Sequence, residues 1–255
     1  MLACCIMAQV PAISDGDTDC GEKVIMQKLS DNVYYYRFNE DHDWPNLGYV
    51  CGDKHALAID AGFSSSHAGS FYAALRDEGL RLPDFTVITH WHWDHTLAMG
   101  KINGVSIANR KTCSLLRQES IRLKDDRYLS KLKRSYVYIA TEFPDGDIPE
   151  MIPADISFTG ELSIDLGGLE VQILQAESTH TDDSTLVYVP SSGILFIGDA
   201  AYANSLSGPL DGKKQKSFIK TVRDLDSRII VDGHQMPMET EDYLASTCEP
   251  IGNAD

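Results

Sequence analysis

The sequence predicts an α/β fold in which two β-sheets pack together with helices on the outside. Three observations predict it. Runs of β-branched and aromatic residues, punctuated by Gly, Asn, Asp and Ser, fill both halves of the chain. Segments with apolar residues at helical spacing alternate with those runs. Histidines and aspartates gather where the apolar runs stop, which is where α/β scaffolds usually carry their chemistry.

In order along the chain, "VIMQKLSDNVYYYRF" from Val24 and "NLGYVCGDKHALAIDAG" read as consecutive strands of a meander, parted by Ser-Asp-Asn and Gly-Asp turn signals. "SSSHAGSFYAALRDEGLRLP" reads as a helix: serines supply an N-cap, Phe71, Ala74 and Leu75 share one face, and Gly79 and Pro83 end it. "FTVITH" is a short apolar strand ending at His90. Residues 110–143 are charged, helical in pattern and rich in Lys and Arg; they read as a helical insertion over one end of a site, with a solvated helix pair as the bland alternative. "FPDGDIPEMIPADI" reads as a linker between halves. "LSIDLGGLEVQIL" is a hairpin around Gly167-Gly168, and "STLVYVPSSGILFIGDA" is another around Ser191-Ser192-Gly193. A helix over Gln215 to Leu225, a strand "RIIVDGH" ending at His234 and a short last helix in "METEDYLAS" complete the pattern. No short-period repeat interrupts it.

The composition bounds the function. With 255 residues, 43% of them hydrophobic, the chain can build an enzyme-sized core. We expect residues 24–255 to form one domain, preceded by a disordered tail over 1–23. A formal charge of −16, from 38 acidic and 22 basic residues, sets a mean field that repels phosphate backbones and anionic membranes. Neither nucleic acid nor a membrane is therefore an expected partner; a small-molecule substrate is. No segment approaches the run of about 20 apolar residues that a membrane span needs. The six cysteines lack a C-x-x-C pair and read as reduced and mostly buried in a cytoplasmic protein, with secretion left open because the start has an apolar patch but no basic flank or clear cleavage site.

The chemistry concentrates in "HWHWDH", His90 to His95, with three imidazoles and a carboxylate in six residues. In an extended segment residues i and i+2 point to the same side, so His90 and His92 can grip one ion while Asp94 and His95 turn toward a second. Imidazole favours zinc, iron, copper or nickel over calcium or magnesium, and carboxylates add the charge that holds a second divalent ion nearby. A chance run of surface polar residues is a poor account of four ligands at this spacing. "ESTHTDDST" places His180 in a polar loop, "LFIGDAAY" puts Asp199 at the end of an apolar strand, and "IIVDGH" does the same for His234. Any one of these alone could be a capping or turn residue.

H-x-H-x-D-H, a later loop histidine, a G-D after an apolar strand and a final G-H together resemble the metallo-β-lactamase superfamily of metal-dependent hydrolases, in order and spacing from about Val24 onward. The resemblance implies an αββα sandwich with a two-metal site at the sheet edges. It further implies that His90, His92 and His180 bind one ion and Asp94, His95 and His234 the other, with Asp199 bridging. The implied cofactors are two divalent ions, zinc first, with iron or manganese as alternatives. Two such ions about 3.5–4 Å apart can share a hydroxide that attacks a carbonyl or phosphoryl centre. Asp94 would orient that hydroxide and pass its proton onward. Asp60 in "LAIDAG" resembles a buried aspartate below the site, accepting a hydrogen bond from a ligand imidazole, or else caps a turn.

Departures from individual subfamilies narrow the expectation. Secreted β-lactamases of the commonest subclass carry a cysteine where this chain has Asp199 and lack a histidine at position 95. The 21 residues after His234 are too few for the helical domain of glyoxalase-type thioesterases, and the large insertion of nuclease members is absent. Oxygen-reducing di-iron members carry glutamate at position 92. "GDAAY" sets Tyr202 three residues beyond Asp199, similar to the D-x-x-Y of quorum-quenching lactonases, where the phenol meets the substrate carbonyl; the alternative is a core aromatic. Trp91 and Trp93 read as pocket walls or helix packing. The expected activity is hydrolysis of a carboxylic ester, lactone or related acyl substrate. A β-lactamase-like amidase, a phosphodiesterase, a mononuclear iron oxidoreductase resembling persulfide dioxygenases and an inactive binding module are the alternatives.

Overall fold

The computed structural model describes residues 26–144, 148–203 and 211–248. The expected tail, the start at Val24, and Cys4, Cys5 and Cys20 lie outside them. Strands β1 (Met26–Lys28), β2 (Val33–Tyr36), β3 (Leu47–Cys51) and β4 (Ala56–Ile59) form the antiparallel meander. Strands β5 (Phe85–Ile88), β6 (Val105–Asn109) and β7 (Ile156–Phe158) then add in parallel, giving a seven-stranded sheet in sequence order. The second sheet has six strands, ordered β13-β12-β11-β10-β9-β8. It contains both expected hairpins, β8 (Glu161–Asp165) with β9 (Glu170–Gln175) and β10 (Thr185–Val189) with β11 (Ile194–Gly198), then β12 (Ile229–Asp232) parallel to β11, and β13 (Met238–Glu239).

Alternation along the strands decides which residues meet between the sheets. Val33, Val50, Leu57, Ile59, Val87 and Ile107 of the first sheet pack against Val171, Ile173, Val187, Val189, Ile194, Phe196 and Val231 of the second. The opposite faces take the helices. Helix α1 (Ser65–Asp77), capped by the Ser64 hydroxyl, buries Phe71, Ala74 and Leu75 against Leu47, Tyr49 and Ala58. The short α2 (Trp93–Thr96), α3 (Arg110–Arg122), α4 (Asp126–Ser135) and α5 (Val137–Glu142) share a cluster with Ile88 and Ala108 on the same side. Helices α6 (Gly212–Asp224) and α7 (Thr240–Tyr243) bury Phe218, Val222 and Tyr243 against Leu186, Leu195 and Ile230. The result is the expected αββα sandwich.

Four boundaries differ from expectation, each because tertiary pairing decides it. The end of the Pro-rich linker becomes β7, since Asp155 accepts hydrogen bonds from the backbone N–H (2.9 Å) and hydroxyl (2.7 Å) of Ser106 and docks the chain on the edge of β6. Met238–Glu239 form an edge strand on β12 instead of opening the last helix. Helix α6 starts at Gly212, because Asp211 accepts from the N–H groups of Lys213 and Lys214. Strands β5 and β12 stop two residues short of His90 and His234, which leaves both histidines in loops at the sheet edge. Cys113 and Cys248 are buried and Cys51 is half-buried. Among the described residues no helix is long and apolar enough to cross a membrane.

Candidate metal centre

The loop after β5 carries His90 and His92, and α2 begins at once, so that Asp94 and His95 turn toward the same sheet edge. The loops after β9, β11 and β12 bring His180, Asp199 and His234 from the second sheet. Two groups of candidate ligands result, His90, His92, His180 and Asp199 in one, and Asp94, His95, Asp199 and His234 in the other. Within each group the ligand atoms all lie within 4.8 Å of one another. The seven residues singled out by the sequence motifs are therefore together, and Asp199 belongs to both groups.

Two glycines make the approach possible. Gly198 sits at φ +51°, and a Cβ there would lie 2.5 Å from the Thr89 hydroxyl, so the two ligand-bearing strand ends touch only because that side chain is absent. A Cβ on Gly233 would lie 2.2 Å from Asp199 Oδ1. The G-D and G-H pairs of the sequence thus have a steric reason.

Asp60, at the end of β4, lies in the left-handed region at φ 65°, a conformation that aspartate tolerates better than most residues. Its Oδ2 accepts from His95 Nδ1 at 2.8 Å and from the Thr89 hydroxyl at 2.8 Å, and its Oδ1 accepts from the Thr89 N–H at 2.7 Å. Because that hydroxyl proton goes to Asp60, the Thr89 oxygen is left to accept from His90 Nδ1 at 3.1 Å. One buried carboxylate therefore orients two imidazoles, holding the Nδ1 side of each so that Nε2 faces the site. The hydrogen bond expected of Asp60 is present, and it reaches a second ligand through Thr89.

The site is arranged for cations. His90 Nε2 and Asp199 Oδ1 are buried without a hydrogen-bond partner among the described residues, an arrangement that is costly unless something binds there. His92 Nδ1 faces His180 Nε2 at 2.8 Å. Asp94 Oδ2 lies 3.1 Å from His95 Nε2 and 3.2 Å from His234 Nε2, and Asp199 approaches His90, His95, His180 and His234 at 3.4–3.9 Å. Burial, reinforced by neighbouring imidazoles, holds His90 well below the ordinary histidine pKa and pushes His92 down to about 3. Burial also lowers His180. His95 and His234 go the other way: burial opposes their charge, but Asp94 and Asp199 outweigh it and hold both well above the ordinary value. Three imidazoles held toward neutrality and two ionised carboxylates at these separations fit divalent ions of the zinc, iron or manganese kind, which would displace the protons of His95 and His234 on binding.

A cavity of about 550 Å³ opens beside the ligands, walled by Trp93, Leu132, Tyr136 and Tyr202. The helical segment that begins at Arg110 thus reaches the site as well as solvent. Tyr136, between α4 and α5, donates its hydroxyl to Asp43, and Asp43 Oδ1 lies 4.0 Å from His234 Nδ1. Burial, with Asp94 nearby, pushes the Asp43 carboxyl up to about 7. Tyr202 lines the cavity, yet its hydroxyl donates to Asp232 and accepts from Gln235 Nε2 at 2.9 Å. Asp232 also accepts from the Tyr243 hydroxyl and the His234 N–H, and burial raises its carboxyl to about 6. Trp93 is a cavity wall, whereas Trp91 packs among the helices. Sequence reasoning missed Asp43, Tyr136, Thr89 and Asp232. Only Asp232 carried a signal, through its place beside Gly233 and His234.

Comparison with known proteins agrees with this geometry. The family model of the metallo-β-lactamase superfamily matches residues 45–234, which include every candidate ligand. An acyl-coenzyme A thioesterase, MBLAC2 of Gallus gallus, is 26% identical over 181 residues; the match covers 67% of this chain and 62% of that protein's length. Among solved structures, a metallo-β-lactamase from Pontibacter korlensis superposes with a TM-score of 0.66 at 17% identity, covering 88% of this chain and 98% of that one. The DIM-1 metallo-β-lactamase superposes at 0.60 and 18% identity, covering 89% and 98%. The chain belongs to the metallo-β-lactamase superfamily.

Proposed function

We propose that this protein is a dinuclear metal-dependent hydrolase of acyl substrates, with His90, His92 and His180 holding one ion, Asp94, His95 and His234 the other, and Asp199 shared. The observation that carries the proposal is the convergence of seven side chains, spread over residues 90 to 234, into two groups whose ligand atoms lie within 4.8 Å of one another. When bound, a pair of divalent cations lowers the pKa of water toward neutrality and polarises an acyl carbonyl. Asp94 is buried and held well below the ordinary carboxylate pKa by His95 and His234, which outweigh burial, so it is ionised and placed to take a proton from attacking water and return it to the leaving group. Trp93, Leu132 and Tyr136 shape an apolar wall that suits an acyl chain and excludes bulk water. The Tyr202 hydroxyl, on turning from Asp232, can donate to a developing oxyanion.

Among acyl substrates the thioester is favoured by the similarity to the thioesterase. That protein extends well beyond the matched region, so its substrate is a proposal for this chain. The test is a panel assay of the metal-loaded protein against acyl thioesters, lactones, carboxylic esters, a β-lactam and a phosphodiester. Turnover of the first three classes, lost on chelation and restored by zinc or manganese, is the expected outcome. Activity confined to the phosphodiester or the β-lactam, or oxygen-dependent turnover with a single iron, overturns the reading.

A further inference from the structure

The protein as a whole is strongly acidic, and that acidity is not evenly spread. Residues 110–143 hold nine Lys and Arg against four Asp and Glu, in a chain that has 22 against 38. Within that segment α4 carries Arg127, Lys131, Lys133 and Arg134, and among the described residues none of the four makes an ion pair. Three of the five cations of α6 contrast with them, because Lys214 pairs with Asp182, Lys220 with Asp224 and Arg223 with Glu241. The uncompensated charge is on the helix that touches the catalytic cavity.

Helical register places it further. Leu132 and Ser135 of α4 line the cavity. Arg127, Lys131 and Arg134 stand at i, i+4 and i+7 and form a single stripe. Lys131 and Ser135 are one turn apart, so the stripe runs directly beside the cavity-lining face. Successive members of such a stripe have Cβ atoms about 5–6 Å apart, a spacing that several phosphoryl oxygens of one molecule can span. All three are exposed, so they are open to a ligand and retain the flexible reach of long side chains.

We infer that the Arg127–Lys131–Arg134 stripe of α4 binds the phosphate-bearing carrier of an acyl thioester whose acyl group occupies the adjoining cavity. This rests on the acyl-hydrolase reading above and narrows its substrate class. A polyphosphate carrier approaching a protein of formal charge −16 is repelled on average, and a cationic stripe at the cavity mouth reverses that locally and orients the ligand. The acyl chain then lies against Leu132, Tyr136 and Trp93, with its thioester directed toward the His and Asp cluster.

The experiment compares wild type with the triple variant Arg127→Ala, Lys131→Ala, Arg134→Ala, whose positions lie outside the ligand set. Binding of coenzyme A alone is measured by calorimetry at low and moderate salt. Kinetics are measured with a medium-chain acyl-coenzyme A and with the same acyl group on a short neutral thiol. We expect coenzyme A to bind wild type in a salt-sensitive manner, the variant to weaken that binding by about tenfold or more, and KM to rise in parallel for the phosphorylated thioester alone. Equal coenzyme A affinity in the two proteins, no measurable binding to wild type, or binding to anionic phosphatidylserine vesicles in place of coenzyme A each overturns the inference. Hydrolysis of the neutral thioester by both proteins keeps the hydrolase reading intact in those cases. Stripe-dependent binding of coenzyme A with no acyl turnover leaves the stripe standing and removes the hydrolase reading instead.

Discussion

The two ligand groups are built from opposite electrostatic materials. Around His90, His92 and His180 the imidazoles crowd one another in a dry setting, all are lowered toward neutrality, and His90 Nε2 is left without a hydrogen-bond partner among the described residues. Around His95 and His234 the carboxylates of Asp94 and Asp199 hold both imidazoles toward the charged form, so that part of the site is internally neutralised even without an ion. The first group has nitrogen donors and little anion to offset a cation, whereas in the second the carboxylates balance the two imidazolium charges and become available to a cation once it displaces those protons. Only Asp199 takes part in both, so it is the residue whose loss the two groups should feel together.

That contrast is broken most severely by Asp199→Asn. Acyl turnover should fall on the order of a thousandfold or more, and metal analysis should show both ions depleted. His180→Ala should deplete the first group alone. Loss of one ion from the Asp199→Asn protein with the other kept at full occupancy would mean that this carboxylate belongs to a single group. Metal removal comes next. Because neither group exists in the unfolded chain, zinc should stabilise the chelated protein by about 4 kcal/mol at a thousandfold excess over Kd, read as a rise in Tm. An unchanged Tm would dissociate the cluster from metal binding altogether.

The same contrast explains what could be read in advance. Two ligands of each group were legible because His90, His92, Asp94 and His95 fall within six residues, and a local motif needs no tertiary information. His180, Asp199 and His234 were legible only as a set, each being unremarkable alone. The two sheets followed from alternation and turn residues, since burial of one strand face writes itself into every second position. The edge strand β7 did not, because its pairing depends on Asp155 capturing Ser106 from 49 residues away. The Tyr136–Asp43 contact is of the same kind, joining residues 93 apart whose types carry no pattern. Fold and ligands were periodic or clustered, whereas the supports around them are solitary and tertiary.

The supports give a smaller effect. Gly198→Ala places a Cβ against Thr89, whose hydroxyl passes the influence of Asp60 to His90. A loss of about 1–3 kcal/mol in stability is expected from the clash and the positive φ. Since Thr89 bears directly on His90 and not on His95, the variant should weaken the first ion more than the second, and equal weakening of both would place the strain elsewhere.

Tyr202 tests the contrast at its edge, and its effect should be the least. Aimed at the substrate oxyanion from the start, its hydroxyl would be worth about 3–4 kcal/mol of transition-state stabilisation. Here the hydroxyl is already bonded to Asp232, which in turn accepts from the His234 N–H, so helping a substrate means giving up a bond beside the second group. The net gain is the difference between two hydrogen bonds, on the order of 1 kcal/mol. Tyr202→Phe should therefore lower kcat on lactones and thioesters by about fivefold to tenfold, with KM little changed. A hundredfold loss would show the phenol free for catalysis, and full activity with a lowered Tm would assign it to holding Asp232 and the His234 loop.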